Sequence, residues 1–408
     1  MKEARRNTIL MSERKGLLDG VRVLDMTRVL AGPYCGMMLA DMGADVIKIE
    51  LPGRGDDSRK NAPQINGESA YFMNLNRNKR GITLDLKSED GKRIFKELVA
   101  KSDIVLENYR PGVMKKLGLD YPVLREINPA IVYGCVSGFG QYGPYSSRPG
   151  YDILGQAMSG LMSTSGWPDT PPTRTGTAMS DVLGGMSCCI GVLAAYVNRL
   201  KTGEGDMVDV ALVDSTVSSL EIINMIYLCT GRVPGRIGNR YEALAPYDSF
   251  QAKDGMFIIA AGNDKLFAAV KRVMKLPALD DPKFDNNISR VEHQAELKEI
   301  IEGWTKEHES KEIIDALLAE GCPAGPINTI EDVAHDEHIV GAREMFVELE
   351  HPVAGPMKVT GNQIKLTNHK IKIDRPAPIL GQHNEEVLHE ILGIDHDEFK
   401  KLEEKGIF

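Results

Sequence analysis

Two hydrophobic periods alternate along the first half of the chain. Short runs rich in β-branched residues, VRVLDM (21–26), ADVIKIE (44–50), GITLDL (81–86), DIVLEN (103–108) and AIVYGCVSG (130–138), read as buried strands. Between the first two lies PYCGMMLADMG, whose small and apolar residues fit a helix closed by Gly43, and SEDGKRIFKELVAKS (88–102) has helical spacing. MVDVALVDS (207–215) adds one more strand and leads into a mainly apolar helix. Such β–α alternation predicts an α/β fold, an open, doubly wound, mostly parallel sheet of Rossmann-like type. No G-x-G-x-x-G follows the first strand, where the turn is MTRVLAGP, so a nicotinamide cofactor is not expected.

The pattern changes after about residue 230. YDSFQ and MFIIAAG flank Lys253-Asp254-Gly255 as a hairpin, ELKEIIEGWTKEHESKEIIDALLAEG (296–321) is helical, and VELEHPVAG and MKVTGNQIKLT are strand-like. This predicts a smaller α+β domain. The boundaries read as a large domain at 17–225, a linker at 226–242, a small domain at 243–345, a strand-rich linker at 346–376 and a C-terminal segment at 377–408.

Charge and cysteine usage narrow the class. A formal net charge of −9 argues against a nucleic-acid partner. Six cysteines are scattered without a C-x-x-C pair, and adjacent Cys188 and Cys189 sit in an apolar run, so they read as reduced packing residues of a reducing compartment. The basic start MKEARRNTILMSERKG lacks an apolar segment of signal-peptide length, which predicts a cytoplasmic chain, with Met11 as an alternative start to Met1. No run reads as the roughly 18 to 20 apolar residues of a membrane span, so no membrane partner is expected. No metal site is expected either: His335 to His338 alone read as an exposed acidic loop.

Candidate chemistry concentrates between Arg148 and Gly185. Asp181 stands where a helix begins, ahead of a run rich in Gly, Ala, Ser and Cys that closes at Gly203. A carboxylate there meets unpaired backbone N–H groups and the positive end of the helix dipole, which predicts that it stays ionised and fixed in place. That suits a carboxylate nucleophile. Asp is also favoured as an N-cap for the same reason, and the residues alone leave both readings open.

Motifs along nearly the whole chain resemble the class III CoA-transferase family. They include GVRVLDMTRVLAGPYCGMMLADMGADVIKIELPGRGD (20–56), NRNKRGITLDLKSEDGK (76–92), INPAIVYGCVSGFGQYGPY (127–145), RPGYDILGQAMSG (148–160), TAMSDVLGG (177–185) and APILGQHNEEVL (377–388). The resemblance implies an enzyme that moves CoA from an acyl-CoA donor to a free carboxylic acid through an aspartyl-CoA thioester. Asp181 matches the nucleophile position. Acyl-CoA is then a substrate, with no tightly bound cofactor and no metal. For CoA contacts the resemblance points to the turn Val29, Leu30 and Ala31, to Leu84 and Lys87, to Asn108, Tyr109 and Arg110, to Lys116, and to Tyr151 with Asp152 at the thioester end. Lys116 stands where formyl-CoA transferases carry an arginine, which keeps charge but loses the bidentate fork.

Family members form interlocked dimers, so a homodimer is implied, with the C-terminal segment packed back on the large domain. The glycine run that formyl-CoA transferases place over the active site is missing; GNRYEALAPYDSF stands there. That points to a dicarboxylate acceptor with succinyl-CoA as donor, and a carnitine-type transferase is an alternative. Arg28, Arg174 and Arg240 are the candidates for gripping a second carboxylate. The related 2-methylacyl-CoA racemases are a further alternative. They carry a histidine before the aspartate of the motif held here by Gly150-Tyr151-Asp152, whereas all nine histidines of this chain lie after residue 292. Tyrosine is a poor base at neutral pH.

Overall fold

The computed structural model describes residues 16–408, so the choice between Met1 and Met11 as the start lies outside them. Six strands form one wholly parallel sheet: β1 (Arg22–Asp25), β2 (Asp45–Glu50), β3 (Arg80–Thr83), β4 (Ile104–Glu107), β5 (Val132–Ser137) and β6 (Met207–Ala211). Their order is 3-2-1-4-5-6, the doubly wound arrangement of a dinucleotide-type fold. Every strand pairing in the sheet is parallel. The expected strand at 207–215 ends at Ala211, because Leu212–Ser219 turns into a helix.

Each face of the sheet carries its own core. On one face lies α1 (Ala31–Asp41), almost wholly buried, packed on a long helix α2 (Met179–Thr202). The small residues of both helices are what allow the approach: a Cβ on Gly185 would stand 2.5 Å from the Ala31 carbonyl oxygen. Cys35, Cys188 and Cys189 fill this seam as buried free thiols. The expectation that no run could span a bilayer needs correction. α2 has 24 residues and reaches a mean hydropathy of 1.5 over its most apolar window, because its polar residues are few and small; here that composition serves close helix packing.

On the other face the core takes Ile94, Phe95 and Leu98 of helix Glu89–Ala100 and, from the far end of the chain, Val387, Leu388 and Ile391 of helix Asn384–Leu392. This last-named helix, with His383 at its cap, also closes the β3 edge. His383 Nδ1 accepts the Gly81 N–H at 3.0 Å, and Arg80 donates to Glu386 at 3.1 Å and Glu390 at 2.6 Å.

The chain divides into two compact units. One takes the residues up to Leu161, Arg174–Met225 and His338–Phe408; the other takes Met162–Thr173 and Ile226–Glu337. The second has its own antiparallel sheet, with Tyr247–Gln251 and Met256–Ala260 as the expected hairpin and Ala324–Pro326 as a third strand. The helical stretch at 296–321 is two helices, Gln294–Thr305 and Ser310–Ala319, broken where Ser310 donates to Asp254 of the hairpin turn.

Candidate active site

Strand order reverses between β1 and β4, and in open parallel sheets ligands bind beyond the carboxyl ends of the strands at that reversal. Two turns flank it, one running from β1 into α1 and the other following β4. They are laced together. The Arg28 N–H donates to Asn108 Oδ1 at 2.7 Å, and Asn108 Nδ2 donates back to the Arg28 carbonyl at 2.7 Å. Val29, Leu30, Ala31, Asn108 and Tyr109 therefore stand at one crevice.

Beside Tyr109 opens a cavity of about 220 Å³, lined also by Leu84, Lys87 and Arg28. Leu84, Leu86, Val113 and Leu117 give it an apolar wall. Arg54 and Lys87 add exposed positive charge. An apolar slot with a basic rim suits a flat aromatic base carrying phosphates. Arg110 and Lys116 are exposed and lie outside its lining. Arg28, a candidate for the acceptor, lines this cavity instead and pairs with Asp57. A larger hollow, about 1240 Å³, opens at the amino-terminal ends of β1 and β2, with Asp19, Asp41 and Asp45 in its wall. It holds none of the expected site residues and lies at the end of the sheet where ligands are not bound.

Asp181 is the third residue of α2, in its first turn rather than at the cap, which is Ala178. The helix N-terminus is claimed by another carboxylate. Asp152 Oδ1 accepts the Ser180 N–H at 2.8 Å and the Asp181 N–H at 3.4 Å, while its Oδ2 accepts Gln156 Nε2 at 2.7 Å. Gln156 Oε1 in turn accepts the Thr175 N–H at 2.9 Å, which ties down the strap leading into the helix. So the backbone N–H groups expected to hold Asp181 go to Asp152 instead. Burial, with the neighbouring Asp152 carboxylate, pushes Asp181 up to about 7. Among the described residues, none donates a hydrogen bond to its carboxylate.

Tyr71 was not anticipated. Burial and the nearby charges of Asp181, Asp56 and Asp152 push its phenol upward, so it stays protonated as a donor. Its only sequence signal is an aromatic two residues after Ser69, the N-cap of a short helix. Lys48 and Asp56 were missed too, although a lysine in the middle of a buried strand is a detectable anomaly. Tyr151 is 67% exposed. Arg174 folds back on its own strap, donating to the carbonyls of Thr175 at 3.0 Å and Gly176 at 2.9 Å. Arg240 belongs to the other compact unit, where its Nε donates to the Ile237 carbonyl at 3.3 Å. At the carboxyl end of β4, burial pushes Glu107 up to about 7, even though the Tyr109 N–H donates to its Oε2 at 2.7 Å.

Comparison with known proteins places this geometry. The model of CoA-transferase family III matches residues 18–384. The chain is 39% identical over 392 residues to the succinyl-CoA:glutarate CoA-transferase of Mus musculus, covering 96% of this chain and 90% of that one. It is 41% identical over 371 residues to the acetyl-CoA:oxalate CoA-transferase of Acetobacter aceti, covering 90% and 94%. The crystal structure of a CAIB/BAIF family protein from Brucella suis superposes with a TM-score of 0.82 at 37% identity, covering 93% of this chain and all of that one. The chain belongs to CoA-transferase family III and is an enzyme that transfers CoA.

Proposed function

We propose that this enzyme moves CoA from succinyl-CoA to a small dicarboxylic acid, with Asp181 as the covalent nucleophile. The observation that carries the reading is the division of labour at the start of α2, where Asp152 caps the helix and leaves the Asp181 carboxylate unspent. The ionised carboxylate attacks the thioester carbonyl, expelling CoA thiolate and forming a mixed anhydride. The thiolate attacks the aspartyl carbonyl, which forms the aspartyl-CoA thioester and releases succinate. The acceptor carboxylate then attacks that thioester, giving a second mixed anhydride and CoA thiolate. Attack of the thiolate on the acceptor's own acyl carbon yields the new acyl-CoA and regenerates Asp181. Thioester energy is conserved throughout.

In this reading the 220 Å³ cavity takes the nucleotide end of CoA, with Leu84 and Tyr109 against the base and Arg28 and Lys87 toward the phosphates. The turn at Val29, Leu30 and Ala31, with Asn108, passes the pantetheine to Asp181, beside Tyr151 and Asp152. Arg110 and Lys116 serve as outer charges. Glutarate and oxalate, which appear in the names of the two relatives, are both dicarboxylates, which supports a second anionic grip from Arg174, in the same compact unit as Asp181. A homodimer belongs to the same proposal: Ile190, Val197 and Leu200 form an apolar stripe on α2 with exposures of 66%, 49% and 68%, which a second copy would cover.

The test is trapping during turnover. Borohydride or hydroxylamine should modify a peptide containing Asp181, and Asp181→Ala or Asp181→Asn should abolish transfer in a folded protein. A label on any other residue sinks the assignment.

A further inference from the structure

The turn that carries Val29, Leu30 and Ala31 is held from beneath by charges wholly inside the protein. Val29 has φ +66°, a left-handed conformation that a β-branched residue avoids unless its surroundings impose it. The imposing group is Asp56. Both of its carboxylate oxygens accept the Val29 N–H, at 3.1 and 3.2 Å. Lys48 Nζ donates to Asp56 Oδ2 at 2.9 Å and also to the Thr27 carbonyl, two residues before Val29. The Ser58 N–H and hydroxyl fix the other oxygen, at 2.9 and 2.8 Å. Lys48 is 0% and Asp56 1% exposed, so the carboxylate cannot swing into solvent.

The far side of the same turn meets the helix that bears Asp181. Ala31 rests on Gly185, one helical turn beyond Asp181, with no room for a methyl group between them. Gly32 is equally tight against the Thr27 side chain, where a Cβ would stand 2.4 Å away. Tyr71 feels the charges of both Asp56 and Asp181, so the clamp and the carboxylate border one phenol. A glycine would adopt this conformation without a clamp. A valine there makes the shape of the turn depend on Asp56.

Resting on the reading of this turn as the backbone that faces acyl-CoA, we propose that Asp56, gripped by Lys48, is a positioning residue that holds Val29, Leu30 and Ala31 in the form that receives the thioester. Two variants test it, Asp56→Asn and the pair Lys48→Met with Asp56→Asn, the second leaving no buried charge unpaired. In each, KM for acyl-CoA should rise about tenfold while kcat stays within about threefold, with circular dichroism unchanged. Adding Val29→Gly to either should bring KM back to within about threefold of the Val29→Gly single variant, because the strain that needs the clamp is gone. An unchanged KM in the folded pair variant overturns the proposal. So does an equal loss with and without Val29→Gly, since a scaffold role lowers melting temperature without regard to residue 29. Absence of acyl-CoA binding by the wild-type enzyme would strike the reading of the site itself, and is recognised from the wild type alone.

Discussion

The raised carboxyl of Asp181 makes a quantitative demand on the rate. In the proposed mechanism only the ionised form attacks the thioester, and with a midpoint of about 7 roughly a tenth of the enzyme is competent at pH 6 and nine-tenths at pH 8. kcat/KM for the donor acyl-CoA should therefore climb about tenfold across that interval, with an apparent pKa near 7 in the free enzyme. Burial is the larger cause and Asp152 the second. Asp152→Asn, which keeps an acceptor for the Ser180 N–H, should shift the profile toward acid without bringing it down to the ordinary carboxylate range. The same shift has a thermodynamic side. A carboxyl raised from 3.8 to about 7 on folding contributes stability that is complete below pH 4 and lost as pH rises through 7, at most about 4 kcal/mol. Asp181→Asn should thus be inactive yet melt higher than the wild type at pH 8, with the advantage vanishing near pH 4. The assay is a stopped time course of acyl-CoA exchange read by mass spectrometry at pH 5.5 to 9, paired with thermal melts. A profile flat between pH 6 and 8, or an Asp181→Asn variant less stable at pH 8, would refute the reasoning.

Further outcomes follow from other sites. Gly185→Ala gains about 1 kcal/mol of helix propensity but drives a methyl to 2.5 Å from the Ala31 oxygen; the overpacking cost of about 1 to 3 kcal/mol should prevail, lowering both melting temperature and transfer rate. Glu107→Gln should remove a destabilisation that sets in as pH rises from 4.5 through about 7, about 3 kcal/mol by the size of the shift, and chemical denaturation at pH 5 and pH 8 measures it. In heavy water a 2-methylacyl-CoA should gain no deuterium at its α-carbon, because Tyr151 is exposed and no histidine precedes residue 293; rapid incorporation would favour the racemase chemistry. Succinate, glutarate and itaconate should exceed butyrate and carnitine as acceptors by roughly ten- to hundredfold in kcat/KM, the worth of one charge-assisted contact of about 1.5 to 3 kcal/mol; a preference for carnitine would point to the carnitine-type reaction instead.

How much of this the residues disclose in advance depends on what kind of interaction is involved. β1 to β5 were visible as β-branched runs because parallel strands are buried on both faces. The boundary at Ala211 was not, since VDVALVD has the same apolar run in strand and helix. Asp181 was legible from its place ahead of a small-residue helix, but its protonation was not. That depends on Asp152, 29 positions earlier, taking the N–H groups that sequence spacing assigned to Asp181. The Lys48–Asp56 clamp likewise joins a strand interior to a loop and leaves no periodic trace beyond one misplaced charge. Arg28, Arg174 and Arg240 were alike on paper, and only their partners separate them.

The β3 edge is sealed by residues synthesised some three hundred positions after it, through the contacts of Arg80 and Gly81 with His383, Glu386 and Glu390. A ribosome-bound chain that has not yet reached residue 383 therefore carries an open, apolar-backed strand edge. Contacts of this sequence separation are slow to form and leave such edges available for pairing with other chains. Release of a product truncated before residue 383 should yield aggregates rather than a weakened enzyme, and chaperone demand during expression should persist until the helix Asn384–Leu392 has emerged.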